Sequence, residues 1–172
     1  MNKNIIEEVF SVYEVIKDSM KVTKRSINQD ICSLHNKTIF SGEQRDILLN
    51  RITTVEKELD DIMVLSLFAS FERELRVSIQ NLIENNICKS NTVVEKLANL
   101  TRESIERWSV PDMIDILGDV VSEQHRMAAK QIYEYRNWVA HGKNPNKLPP
   151  KTGPKQAFLL LSEFMEQATA AI

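Results

Sequence analysis

The segment from Arg136 to Gly142 holds side chains whose types and spacing suit phosphate chemistry. On a helix, Asn137 and His141 are four residues apart and lie on one face, whereas Arg136 is rotated from His141 by about 140°. The arginine fork fits phosphate oxygens, and histidine changes its charge near neutral pH. Such a set fits cleavage of RNA by its own 2′-hydroxyl. A base removes the hydroxyl proton, an acid protonates the leaving 5′-oxygen, and a cation stabilises the transition state.

Arg136, Asn137, His141 and Gly142 together resemble the Arg-x4-His signature of the HEPN superfamily, in which a polar residue, often asparagine, follows the arginine. The resemblance covers about residues 45–172 and implies an all-α bundle with the motif at or near the end of its penultimate core helix. It also implies a metal-independent endoribonuclease without a cofactor, acting as a homodimer in which two motif copies meet. By this resemblance, Arg136 clamps phosphate, His141 is the general acid–base residue, and Asn137 orients the imidazole or the substrate. No cluster of metal-ligand residues is visible in the sequence.

The resemblance also implies partners. HEPN ribonucleases act on RNA, and they occur as toxins and as effectors in defence against phage, so an inhibitory antitoxin protein is a further expected partner. Some HEPN toxins carry, two residues after the motif histidine, a tyrosine that a partner nucleotidyltransferase modifies. This chain has Lys143 at that position, so the resemblance does not extend to that kind of antitoxin.

Two alternatives to the ribonuclease remain open. The first is a non-catalytic HEPN module that binds RNA, a nucleotide or a partner protein. The second is a helical bundle unrelated to HEPN, in which Arg136 and His141 have structural roles. Because the motif residues are intact, we favour the enzyme.

The loop that follows the motif is basic. From residue 136 to residue 162 the chain has no acidic side chain and carries five basic ones: Arg136, Lys143, Lys147, Lys151 and Lys155. A basic loop beside the site can receive a phosphate backbone, with Lys143 and Lys147 as substrate-binding residues. The equal alternative is a solvated surface loop that happens to carry lysines.

Glu72 is the predicted acidic support of the site. The segment Phe68–Glu72 resembles a helix that carries a supporting acidic residue in HEPN ribonuclease families. Glu72 falls on the apolar stripe of its helix, and a buried carboxylate needs a partner, for which Arg136 is a candidate. The alternative is a solvated face on which Glu72 forms ion pairs with neighbouring charges.

Three aromatic residues surround the motif on its helix: Tyr133, Tyr135 and Trp138. Such side chains can stack on RNA bases. Aromatic residues at helical spacing are more often part of a core or of a dimer interface. The sequence leaves both roles open for these three.

Apolar residues recur at spacings of three and four along most of the chain, which predicts helices and no strands. The first helix is predicted from about Asn2 into the twenties, and a break follows at residues 36–42. A capping-box pattern at Ser41 and Gln44 starts the next helix, which is predicted to end near Asn85. A helix of that length is expected to be kinked or broken.

Shorter helices are predicted in the second half of the chain. Asn91 caps the first, Pro111 marks the start of the next, Ser122 begins the motif helix, and Gly142 stands where that helix would end. A proline-rich loop then leads to a last helix from residues 152–154 onward. The prediction is a single all-α domain over residues 1–172, an up-and-down bundle of five or six helices, with residues 1–40 as a candidate added N-terminal helix.

Composition limits the classes of protein that fit. Apolar residues make up 42% of the chain and charged residues 27%, which argues against wholesale disorder. The net charge of -2 indicates that any contact with nucleic acid is local rather than spread over the surface. Glu7 and Glu8 stand where a signal peptide needs an apolar run, and no apolar run is long enough for a bilayer. Since Cys32 and Cys88 form no C-x-x-C pair, we expect a cytoplasmic protein without membrane contact.

Overall fold

The computed structural model describes residues 4–29, 31, 36–87 and 92–170, which fold into a bundle of six α-helices and one 3-10 turn. The helices are α1 (Ile5–Asn28), α2 (Arg45–Ile87), α3 (Thr92–Ser104), α4 (Val110–Ile116), α5 (Glu123–Ala140) and α6 (Pro154–Ala170), with the 3-10 turn at Ile105–Arg107. This part of the chain contains no strand. The predicted all-α helical bundle is therefore confirmed.

The long helix α2 is the centre of the bundle. It begins at Arg45, later than predicted, because residues 36–42 form turns in which Lys37 and Gly42 have φ angles of 63° and 80°. The prediction that Ser41 caps this helix was wrong, since the first helical hydrogen bond runs from the Leu48 amide to the Gln44 carbonyl. From there α2 continues through 43 residues without the predicted break. No proline or glycine interrupts this stretch, so its hydrogen-bond ladder is complete.

The core forms where α2 packs against α1, α5 and α6. Phe68, Phe71 and Leu75 of α2 are fully buried, together with Ile132 of α5 and Phe164 of α6. The rings of Phe71 and Phe164 meet edge to face, with centroids 5.1 Å apart. Each such side chain stabilises the fold by about 1.5–3 kcal/mol through removal of its surface from water. The motif helix α5 thus packs against both α2 and α6.

Caps set the ends of the shorter helices as the sequence predicts. Ser109 Oγ accepts a hydrogen bond from the Asp112 amide at the start of α4, and Ser122 Oγ accepts one from the His125 amide at the start of α5. Pro154 is the first residue of α6.

The predicted helix start at Asn2, the predicted cap Asn91, and Cys32 and Cys88 lie outside the described residues. None of the described helices has the length and apolar character that crossing a bilayer requires.

Candidate functional site

The motif closes α5 through a Schellman motif, the hydrogen-bonded cap in which a left-handed residue ends a helix. Gly142 has a φ angle of 83°, and its amide donates to the Val139 carbonyl at 3.2 Å. The Lys143 amide donates to the Trp138 carbonyl at 2.9 Å. His141 is the C-cap residue of the helix, and its side chain is exposed. The predicted role of Gly142 is confirmed, and the cap fixes the point at which the imidazole leaves the helix.

Asn137 and His141 share one open cleft at the end of α5. The cleft has a volume of about 790 Å³ and is bounded by α5 on one side and by the loop after the motif on the other. The prediction that an amide and an imidazole occupy one helix face is confirmed, and Lys147 lines the same cleft. The full lining consists of Glu134, Asn137, Trp138, His141, Asn144, Asn146, Lys147, Leu148 and Pro149.

Arg136 points from the same helix toward α2 rather than into the lining of the cleft. Its guanidinium lies 6.0 Å from the centroid of the Phe68 ring, and its Nη2 is 4.0 Å from Glu72 Oε2. Its Nη1 donates to Asn137 Oδ1 at 2.8 Å. The side chain is 31% exposed, so the guanidinium is packed but remains in contact with solvent. Arg136 is therefore joined to the cleft through the amide of Asn137.

Glu72 lies near both kinds of predicted partner, a neighbouring charge on its own helix and Arg136. Its Oε1 accepts a hydrogen bond from Arg76 Nη2 at 2.8 Å, one turn along α2, and its contact with Arg136 at 4.0 Å is the longer of the two. Arg76 also donates to the backbone carbonyls of Ile105 and Trp108, which fixes it against the 3-10 turn. The side chain of Glu72 is 25% exposed, so it is only partly buried, and it lies between Arg136 and Arg76.

Lys143 turns away from the cleft and binds α2. Its Nζ lies 2.7 Å from Glu58 Oε2 and 2.7 Å from Asp61 Oδ2. Hydrogen bonds to Asp61 and then to Glu58 raise the pKa of Lys143 above its ordinary value. Its backbone is left-handed, with a φ angle of 56°. The predicted role of Lys143 in substrate binding stays a prediction, and the structure gives its ammonium two protein carboxylates as partners.

Two of the three aromatic residues serve the packing of α5 on α2. Tyr135 is 3% exposed and donates from Oη to Asp61 Oδ1 at 2.5 Å. Burial, and then the hydrogen bond to Asp61, raise the pKa of this phenol above its usual range. The ring of Tyr133 lies 5.7 Å from the ring of Phe68. Trp138 is the aromatic residue that lines the cleft.

On the loop side of the cleft, the sequence predicted Lys147 but not the asparagines. Asn144 organises it: the Asn144 carbonyl accepts from Trp138 Nε1 at 2.8 Å and from the Lys147 amide at 3.2 Å, and its Oδ1 accepts from the Asn146 amide at 3.0 Å. Asparagine side chains commonly stabilise turns in this way. Glu134 was also missed, although it lies one and two turns before Asn137 and His141 on the same face. That helical spacing is the signal that could have identified it.

Chemically, the cleft combines a group that can transfer protons, an amide donor and a cation beside an apolar wall. Within the described residues, no group of three or more His, Cys, Asp or Glu side chains has a geometry that could hold a metal ion. Comparison of the chain with protein-family models, with curated proteins and with solved structures found no match. The functional assignment therefore depends on the motif and its surroundings.

Proposed function

We propose that this chain is a metal-independent endoribonuclease of the HEPN type, which cleaves RNA by attack of its own 2′-hydroxyl. The observation that supports the proposal is the placement of the motif. Asn137 and the exposed His141 line one open cleft, and Arg136 hydrogen-bonds to Asn137 at 2.8 Å.

In this mechanism, one imidazole removes the proton of the 2′-hydroxyl, and the resulting oxygen attacks the adjacent phosphorus. The bond to the 5′-oxygen breaks, and a second proton donor protonates that oxygen as it leaves, which yields a 2′,3′-cyclic phosphate and a 5′-hydroxyl. A guanidinium has only donors, so Asn137 presents its oxygen to Arg136 and keeps its NH₂ group as a donor at the cleft. That NH₂ group and Lys147 are the donors placed to stabilise charge on the phosphate.

The reaction needs a base and an acid, and one chain supplies one motif imidazole to the cleft. A homodimer with two-fold symmetry would supply the second His141 and would bring two motifs together. Exposed apolar residues of α2 offer a surface for such contact: Val55 is 51% exposed and Ile62 is 53% exposed.

The proposal extends to biological role. HEPN ribonucleases that this motif resembles serve as toxins and phage-defence effectors, so we assign the chain to that group, acting in the cytoplasm on cellular RNA and held in check by an inhibitory protein. Expression of the wild-type chain in bacteria should arrest growth, and expression of His141→Ala should not. Equal growth with both would contradict a toxic ribonuclease role.

The direct test is cleavage of a panel of RNAs by the purified protein in excess EDTA. His141→Ala should lower the rate by about 10²-fold or more, since acid–base groups commonly contribute that much. Arg136→Ala should also lower the rate, because the amide of Asn137 loses the guanidinium that orients it. His125→Ala is the matched control, because His125 lies on the same helix but binds Ser122 and Glu163. Circular dichroism must show that all variants are folded.

Cleavage by the wild type and by His125→Ala, with loss in both motif variants, would support the ribonuclease. An intact RNA panel, or variants that cut as fast as the wild type, would overturn it. An intact panel would favour a non-catalytic binding module, and variants that cut as fast as the wild type would place any cleavage outside this motif. Arg136→Lys adds a finer control: a lysine keeps the charge but not the planar fork, so partial activity is expected.

A further inference from the structure

The cleft beside the motif has two chemically different sides. Trp138, Leu148 and Pro149 form an apolar wall, and the side chain of Leu148 is 73% exposed. The same three residues also line a second cleft of about 440 Å³, so they stand as a ridge between the two. Asn144 and Asn146 also line the first cleft.

Trp138 is held as a fixed platform. Its Nε1 donates to the Asn144 carbonyl at 2.8 Å, and its ring centroid lies 5.7 Å from that of the buried Tyr135. These contacts determine the plane of the indole, so a flat ligand that stacks on it would meet a surface already ordered. Trp138 lies three residues before His141, and residues at that spacing are neighbours on a helix surface.

This combination of groups suits one class of ligand. An aromatic platform stacks with the face of a nucleobase, amide side chains hydrogen-bond to the edge of a base, and a lysine binds phosphate. A volume of about 790 Å³ is within the usual range of ~300–1,000 Å³ for a small-molecule site. The bases of a duplex are stacked on each other and cannot offer their faces to a side chain, so the base must be unpaired.

We propose that Trp138, Leu148 and Pro149 bind an unpaired nucleobase next to the scissile phosphate, and that the substrate is single-stranded RNA. Asn146, on the loop, is placed to contact the edge of that base and to contribute to sequence preference. Lys147 is the basic residue in the lining of this cleft, to which Glu134 also belongs, and it is the group placed to bind the adjacent phosphate. The inference rests on the proposed ribonuclease function, since the base is placed beside the phosphate at which His141 would act.

Binding can be measured without cleavage. The chain has two tryptophans, so Trp108→Phe leaves Trp138 as the single fluorescent indole. A 2′-O-methyl RNA oligonucleotide lacks the attacking hydroxyl and serves as an uncleavable probe. We expect the single-stranded probe to quench Trp138 fluorescence. We expect the same probe annealed to its complement to bind at least about fivefold more weakly, because stacking on one base contributes about that factor or more.

Leu148→Ala tests the wall without risk to the core, because Leu148 is exposed. Leu100→Ala is its matched control, since Leu100 is 62% exposed on α3 and lies outside both clefts. Anisotropy of a labelled probe should show weaker binding to Leu148→Ala by several-fold and unchanged binding to Leu100→Ala. Equal binding of single strand and duplex, no quenching, or unchanged affinity of Leu148→Ala would overturn the subsite.

The two proposals can fail separately. If the uncleavable probe binds as described but natural RNA stays intact, the base subsite stands and the ribonuclease does not. If natural RNA is cleaved with the same KM by Leu148→Ala and by the wild type, the ribonuclease stands and the subsite does not.

Discussion

Asp61 and Glu58 both bind the ammonium of Lys143, yet their removal should affect stability very differently. The carboxylate of Asp61 is 15% exposed and also accepts a hydrogen bond from Tyr135 at 2.5 Å. The carboxylate of Glu58 is 59% exposed and has Lys143 as its partner. The two acids therefore provide a matched pair: the same functional group, the same lysine, and different burial.

The expected magnitudes follow from those contacts. Asp61→Ala leaves the hydroxyl of Tyr135, which is 3% exposed, without its acceptor. A hydrogen bond to a charged group contributes about 1.5–3 kcal/mol, and a buried unsatisfied donor costs about 1–3 kcal/mol. These terms overlap, so we expect the free energy of unfolding to fall by about 2–3 kcal/mol. Glu58→Ala should cost less than about 1 kcal/mol, because exposed ion pairs are weak and Lys143 keeps Asp61.

The assay is urea denaturation followed by circular dichroism. The dependence of the free energy of unfolding on urea concentration should be the same for all variants, as two-state unfolding requires. A double-mutant cycle with Tyr135→Phe should give a coupling energy with Asp61→Ala of at least about 0.5 kcal/mol, because the two side chains touch. Equal losses for Asp61→Ala and Glu58→Ala, or no coupling to Tyr135, would refute the view that Asp61 anchors the motif helix.

Three further predictions follow from the same region. Folding raises the pKa of both Tyr135 and Lys143, so at high pH the folded chain keeps protons that the unfolded chain releases. The stability that these two groups contribute is therefore complete at neutral pH and is lost as the pH rises above about 10. Above that pH the urea concentration at the midpoint of unfolding should fall, and it should fall less steeply in Tyr135→Phe. A midpoint that rises with pH would contradict this prediction. Gly142→Ala should lower the free energy of unfolding by about 1–2 kcal/mol from backbone strain alone, since a Cβ there meets nothing within 4 Å while φ is 83°. Gly142→Asn should cost less in the same denaturation assay, and an equal cost would argue against strain as the cause. Finally, subunit exchange of the wild type with His141→Ala should lower RNA cleavage below the fraction of wild-type chain in the mixture, because a mixed dimer has one motif imidazole instead of two; activity that stays proportional to that fraction would contradict a composite site.

Helical periodicity predicted those parts of the site that depend on one helix. The common face of Asn137 and His141, the divergence of Arg136, and the end of α5 at Gly142 all follow from the geometry of a single helix and its cap. The continuity of α2 could also have been predicted, because its sequence lacks proline and glycine. A break was expected there only because the helix is unusually long.

The remaining features depend on contacts between segments distant in sequence. Lys143 reaches Glu58 across 85 positions of the chain, so no local pattern could distinguish this ion pair from a phosphate contact. The loop side of the cleft depends on how Asn144 hydrogen-bonds to Trp138, and Pro- and Asn-rich loops have no period from which to derive such a contact. Tertiary structure was required to separate Lys147, which lines the cleft, from Lys143, which does not.

The central claim is that the 2′-hydroxyl of RNA attacks its own phosphate at the site of Arg136, Asn137 and His141. It is tested most directly with a DNA oligonucleotide that contains a single ribonucleotide in an unpaired stretch, incubated with the protein in excess EDTA. We predict one cut, on the 3′ side of the ribonucleotide, which leaves a 2′,3′-cyclic phosphate and a 5′-hydroxyl and is lost in His141→Ala. Cleavage of the all-DNA oligonucleotide, or products that end in a 3′-hydroxyl and a 5′-phosphate, would contradict the claim.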